Sequence, residues 1–168
     1  MSETVNQIKE RLQRYSAMQR DIDNQIERLE RLQAALGDPA SPSLSGMPRG
    51  SAGGTDKIGR RIERVDQLEG EIRLAIEQEA AEKAELEALI CQLRDPDERA
   101  VIRMRYFDKE GWGDIADVLF GDYQYSYKTA LNRTYTLHGD ALSHLAAMED
   151  RAKSGNSGKS GQNRARQG

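Results

Sequence analysis

Apolar residues between Val5 and Leu36 return every seven positions. Ile8, Tyr15, Ile22, Leu29 and Leu36 fall at heptad d positions, Val5, Leu12 and Ile26 at a positions, with Gln19 and Gln33 as polar interruptions. A mean spacing of 3.5 residues is what keeps two helices in contact along their length. A second stretch repeats the pattern, with Ile58, Val65, Ile72, Leu86 and Leu93 at d and Ile62, Ile76 and Ile90 at a. Its middle is weaker, because Glu69, Glu79 and Lys83 take seam positions. The two patterns predict long helices over 1–36 and 57–94, each roughly 50–57 Å long at 1.5 Å per residue.

Between them, residues 37–56 read GDPASPSLSGMPRGSAGGTD, with three prolines, five glycines and four serines. Such a composition predicts a flexible loop. Gly37 suits a left-handed cap on the first helix, and Thr55 or Asp56 suits the start of the second. A loop of this length allows either an antiparallel hairpin within the chain or pairing between chains.

Beyond residue 94 the periodicity changes. Asp95-Pro96 reads as a helix start, with Asp95 as cap, Pro96 in the first turn, and Asp97 and Glu98 at the positive end of the dipole. The helix DERAVIRMRYF turns Val101, Met104 and Tyr106 or Phe107 inward, and Asp108–Gly111 breaks it. A short second helix, WGDIADVLF, puts Trp112, Ile115, Ala116 and Leu119 on one face. After a turn at Gly121-Asp122, a third helix starts at Ser126, whose side chain suits a cap, and runs through KTALNRTYTLHGDALSHLAAM. Three short helices with a glycine-containing turn fit a helix-turn-helix unit. The chain is therefore expected to be all-α: a long antiparallel helical hairpin or coiled coil, followed by a three-helix unit over 95–148.

In a helix-turn-helix the third helix lies in the DNA major groove, with its N-terminal residues at the bases. Here that stretch, Tyr125 to Tyr135, holds Lys128, Asn132, Arg133 and several hydroxyls, and no acid. Arg pairs with a guanine edge and Asn with adenine, while Lys and hydroxyls suit phosphates. Lys128, Asn132 and Arg133 are the expected readers, with Ser126, Tyr127 and Thr134 near phosphates.

Asp95-Pro96 with Arg99, then Val101-Ile102-Arg103-Met104-Arg105-Tyr106, then Trp112 with Ile115-Ala116, then Leu137-His138-Gly139 with Ala141-Leu142, resemble a family of small phage and prophage proteins. Its members occur mainly in Gram-positive bacteria and mostly lack an assigned function. They pair an N-terminal helical hairpin with a helix-turn-helix similar to the fourth conserved region of sigma factors. The resemblance extends over about residues 8–147 and implies a phage-encoded DNA-binding transcription regulator. Ser126 stands eleven residues after Ile115, further than such units usually place the cap, so FGDYQYSYK reads as an insertion.

Charge complicates that expectation. The formal net charge is −3, but residues 95–150 carry 6 bases and 11 acids, whereas residues 151–168 carry 5 bases and no acid. A duplex-binding surface is normally basic. The acids lie mostly between Asp95 and Asp122, and residues 123–139 have none. The tail, over 149–168, is expected to be disordered and basic. The competing class is a coiled-coil adaptor that docks on RNA polymerase or a phage packaging protein without reading DNA. Pairing of the heptad helices would make a homodimer.

Other chemistry is not expected. Gly158-Lys159-Ser160 ends like a phosphate-binding loop, but Lys153 stands where its first glycine is required. His138 and His144, six apart and without a nearby cysteine, lack metal-ligand spacing and suit capping or surface roles. Glu77, Glu79, Glu82 and Glu85 read as a solvated helix face. Tyr123, Tyr125, Tyr127 and Tyr135 suit either base stacking or packing around the turn, and Trp112 suits the core. Cys91, beside Ile90 and Leu93, reads as a small buried hydrophobe. No catalytic set, metal or cofactor is expected. No run approaches a membrane span, and the N-terminus lacks the apolar core of a secretory signal. The expected location is the cytoplasm of a bacterial host cell.

Overall fold

A computed structural model describes residues 3–37, 54–121 and 125–157. These form five helices and no strand: α1 (Glu3–Gly37), α2 (Gly54–Ile90), α3 (Pro96–Tyr106), α4 (Trp112–Phe120) and α5 (Tyr127–Ser157). α2 begins at Gly54, so Thr55 and Asp56 lie in its first turn rather than ahead of it. Most of the expected loop, residues 38–53, lies outside the described residues, as do Asp122, Tyr123 and Gln124 of the expected insertion. α5 continues to Ser157, so the first residues of the expected disordered tail are helical.

The chain divides into two compact units, one of residues 1–16 and 82–168, the other of residues 17–81. The boundary expected near residue 95 therefore falls inside the first unit. Its core joins Val5, Ile8, Leu12 and Tyr15 of α1 to Leu86 and Ile90 of α2 and to Leu93. Val101, Ile102 and Tyr106 of α3, Ile115 of α4, and Ala141, Leu142, Leu145 and Ala146 of α5 complete it. α3, α4 and the longer α5 share this one core with the start of α1 and the end of α2. Phe107 stacks obliquely on Tyr15, with ring centroids 4.7 Å apart.

Arg11 fastens this unit electrostatically. Its guanidinium meets Glu82 at 2.7 Å, Glu85 at 2.5 Å and Glu149 of α5 at 3.4 Å. The hydrogen bond from Arg11 holds the Glu82 carboxyl below its ordinary range, with burial opposing. Arg103 of α3 pairs with Glu87 of α2 at 2.6 Å, and that bond raises the Arg103 guanidinium further. Cys91 is exposed rather than buried. Its sulfur faces the Arg103 guanidinium at 3.4 Å, because the chain leaves the helix there. The α2–α3 connector is held by Arg99, whose Nη1 donates to the carbonyls of Leu93 at 2.5 Å and Arg94 at 3.2 Å.

In the second unit α1 and α2 run antiparallel. Gln19 donates to Glu79 at 3.3 Å and Gln33 to Glu69 at 2.9 Å, so residues further along α1 meet residues earlier in α2. The polar interruptions of the two heptads thus face one another. Here the seam buries Ile22 of α1 and, along α2, Val65, Leu68 and Ile72. Ile58, Ile62 and Ile76, expected in the seam, are exposed by 56%, 47% and 46%. The contact uses positions three residues after Val65 and Ile72 instead of four, which takes in Leu68 and Ala75 and rotates the isoleucines out.

Candidate nucleic-acid interface

The site is built from the break after α3, the short α4 and the first half of α5. Asp95 caps α3, its Oδ1 accepting from the Asp97 amide at 2.9 Å, and Pro96 occupies the first turn. The break after Tyr106 places Lys109 at φ 61°, in the left-handed region. α4 then starts after Gly111 and buries Ile115 and Ala116, with Trp112 and Leu119 partly buried beside them. Gly113 faces α5: a Cβ there would lie 3.0 Å from the Tyr127 hydroxyl. That close approach leaves little space for a side chain between the starts of α4 and α5.

Ser126 caps α5. Its Oγ accepts from the Thr129 amide at 3.3 Å, and its carbonyl accepts from the Thr129 and Ala130 amides at 2.8 and 3.0 Å. From there Ala130, Thr134, His138, Ala141, Leu142, Leu145 and Ala146 form the buried stripe. A helix that buries this stripe turns residues 128, 129, 132, 133 and 136 to the outside. Lys128, Asn132 and Arg133 are accordingly exposed on it, together with Ser126 and Tyr127. The Arg133 guanidinium lies 4.4 Å from the centre of the Tyr125 ring, a cation–π contact that steadies a long side chain.

Thr134 departs from the expected set. It is 0% exposed, and its hydroxyl donates back to the Ala130 carbonyl at 3.0 Å. It cannot meet a phosphate, because it belongs to the stripe that packs α5 against its neighbours. Thr129 and Thr136 take the outward places instead, with Thr136 donating to the Asn132 carbonyl at 3.1 Å. Both were legible from helical spacing: Thr129 precedes Arg133 by one turn and Thr136 follows Asn132 by one turn.

A groove beside this face is lined by Thr129, Asn132, Arg133, Thr136 and Leu137 of α5, Phe120 of α4, and two acids, Asp97 and Asp140. Polar donors and carboxylates thus share one surface. Its charged lining residues are Arg133 and the two carboxylates of Asp97 and Asp140.

On another side of α5 the aromatics form a packed group. Trp112 meets the Tyr135 and His138 rings edge-on, each at 5.0 Å, and the Arg105 guanidinium sits 4.6 Å from its centroid. Trp112 is half-buried at the edge of the core rather than within it. Its contact with Trp112 gives Tyr135 a packing role. His138 is buried, against the expectation of a surface or capping histidine, and its Nε2 lies 3.0 Å from the Tyr106 hydroxyl. Burial, and then the charges of Lys9 and Arg105, hold its imidazole down to about 4. Burial pushes the Tyr106 hydroxyl up to about 12, so it keeps its proton in this pair. His144 is the surface histidine, pairing through Nδ1 with the buried Glu98 carboxylate at 2.9 and 3.0 Å. Among the described residues no cluster of His, Cys, Asp and Glu could hold a metal ion, and no helix is long and apolar enough to cross a membrane.

These features define an all-α protein with an antiparallel helical hairpin and a helical unit assembled from both halves of the chain. Residues 55–135 match a family model described as "Protein of unknown function (DUF1492)". The match covers a little less than half of the chain, from the first turn of α2 into the first half of α5. No curated protein and no solved structure gives a significant match.

Proposed function

We propose that the chain is a phage-type DNA-binding transcription regulator of the bacterial cytoplasm, in which α4 and α5 act as a sigma-like helix-turn-helix. The observation that carries this reading is the outward face of early α5. It presents Lys128, Asn132 and Arg133 with the hydroxyls of Ser126, Thr129 and Thr136, on a helix without acid in its first turn. Asn132 and Arg133 have the donors and acceptors that base edges require, and Lys128 and the hydroxyls suit phosphates. The bases of residues 151–168 would add non-specific attraction to the duplex.

A salt-dependent mobility shift on DNA upstream of its own gene tests the reading. Parent protein is expected to bind with affinity falling steeply as salt rises. The Lys128→Ala/Arg133→Ala pair is expected to bind about 10- to 100-fold more weakly, whereas Thr134→Val leaves binding unchanged. Undiminished binding by the double variant would overturn the recognition-helix assignment.

Asp97 and Asp140 in the adjoining groove favour a second reading, in which the same unit contacts a protein such as RNA polymerase and the chain works as an adaptor. Loss of DNA binding only on removal of residues 151–168 would support that reading, with the tail as a non-specific tether.

A further inference from the structure

The second unit leaves a row of isoleucines outside its own seam. Ile62, Glu69 and Ile76 are spaced by seven along α2, and Ile26 and Gln33 by seven along α1, so each set forms one stripe. The Gln33–Glu69 hydrogen bond, 2.9 Å and exposed, places the two stripes side by side on one flank. Because the helices are antiparallel, going back two turns from Gln33 and forward two turns from Glu69 reaches the same level. Ile26, 36% exposed, therefore lies level with Ile76 on this flank, and Ile62 and Ile58 extend the row towards the start of α2. Three residues back from Gln33 and four forward from Glu69 bring Glu30 of α1 within one residue's rise, about 1.5 Å, of Arg73 of α2. Both are exposed, and neither has an ion-pair partner among the described residues.

A flank with apolar residues on both helices, an acid on one helix and a base at nearly the same level on the other is complementary to itself. A two-fold axis lying between two such flanks, parallel to the helices, sets α1 of one copy over α2 of the other at equal height. Ile26 then meets the partner's Ile76, and Glu30 meets the partner's Arg73, twice over. Stacking the flanks without this exchange would oppose acid to acid and base to base.

We infer that this flank binds a second copy of the chain, giving a four-helix dimer interface. The isoleucines account for its strength and the Glu30–Arg73 exchange for its register. The inference is independent of DNA binding, because every residue it uses lies between residues 26 and 76.

Light scattering on the full chain at about 50 µM tests it, since a dimer is populated only above its dissociation constant. The expected mass is twice 18.8 kDa. The Ile62→Asp/Ile76→Asp variant is expected to be a monomer with unchanged helical circular dichroism. Glu30→Arg and Arg73→Glu are each expected to weaken pairing about tenfold, and the two together to restore it. That restoration tests the interface even where the isoleucine variant loses structure. A monomeric parent at this concentration overturns the proposal, as does a helical isoleucine variant that stays dimeric. Failure of the charge exchange to restore pairing overturns the two-fold register.

Discussion

His138 is held neutral among cations. Its Nε2 faces the protonated Tyr106 hydroxyl, its ring meets Trp112, and the charged groups acting on it are Lys9 and Arg105, both positive. Protonating the imidazole in place would add a third positive charge beside Lys9 and Arg105. Folding thus lowers its pKa from the ordinary 6.5 to about 4. Between those values the unfolded chain holds more protons than the folded one. The stability gained from neutral His138 is complete above about pH 6.5 and is lost as pH falls towards 4. Urea unfolding of the parent is expected to show a loss on the order of 2 kcal/mol between pH 7 and pH 5. In His138→Gln that loss should shrink markedly, because the side chain no longer titrates. An equally steep decline in the variant would assign the acid sensitivity elsewhere.

At the scale of elements, local chemistry and long-range contact contribute differently. The start of α3 follows from Asp95-Pro96 alone, since a cap and a proline act on their own first turn. Asp95→Ala is expected to cost about 1 kcal/mol, read as a lower denaturation midpoint with unchanged slope. Ser126 was legible as a cap for the same reason. The inward face of α4 was legible too, because nine residues with Ile115-Ala116 at the centre offer one apolar side. The α2 seam was not. Isoleucines at 58, 62 and 76 and apolar residues at 65, 68 and 72 are both compatible with helical periodicity, and only the partner helix selects between two overlapping stripes. Thr134 was misplaced for a related reason: a hydroxyl in a helix suits a phosphate when outside and its own backbone when inside, and the packing of α5 puts it inside.

For the whole molecule, Arg11 links sequence-distant parts of the first unit. Its contacts reach Glu82, Glu85 and Glu149, so one side chain from the start of the chain ties α2 and α5 to α1. Arg11→Met keeps much of the apolar stem but removes the cation from Glu82 and Glu85, while Glu149 keeps Lys153 at 3.3 Å. The variant is expected to lose about 1–2 kcal/mol at neutral pH, measured by thermal or chemical unfolding. Glu82 titrates below its ordinary value in the folded chain. The stability from this pair is therefore present above the unfolded carboxylate range and lost as pH falls through the lower, folded value. Parent and variant should converge in stability at strongly acid pH.

Short-range signals in the chain settle that this protein is helical, where α3, α4 and α5 begin, and that early α5 carries Lys128, Asn132 and Arg133 without an acid. Caps, prolines and apolar periodicity act over a few residues, so they survive in a linear reading. Three features depend on folding: residues 1–16 joining the core of residues 82–168, the isoleucines outside the hairpin seam, and a buried neutral His138. Each depends on which surfaces meet, and that is settled by packing between segments distant in sequence.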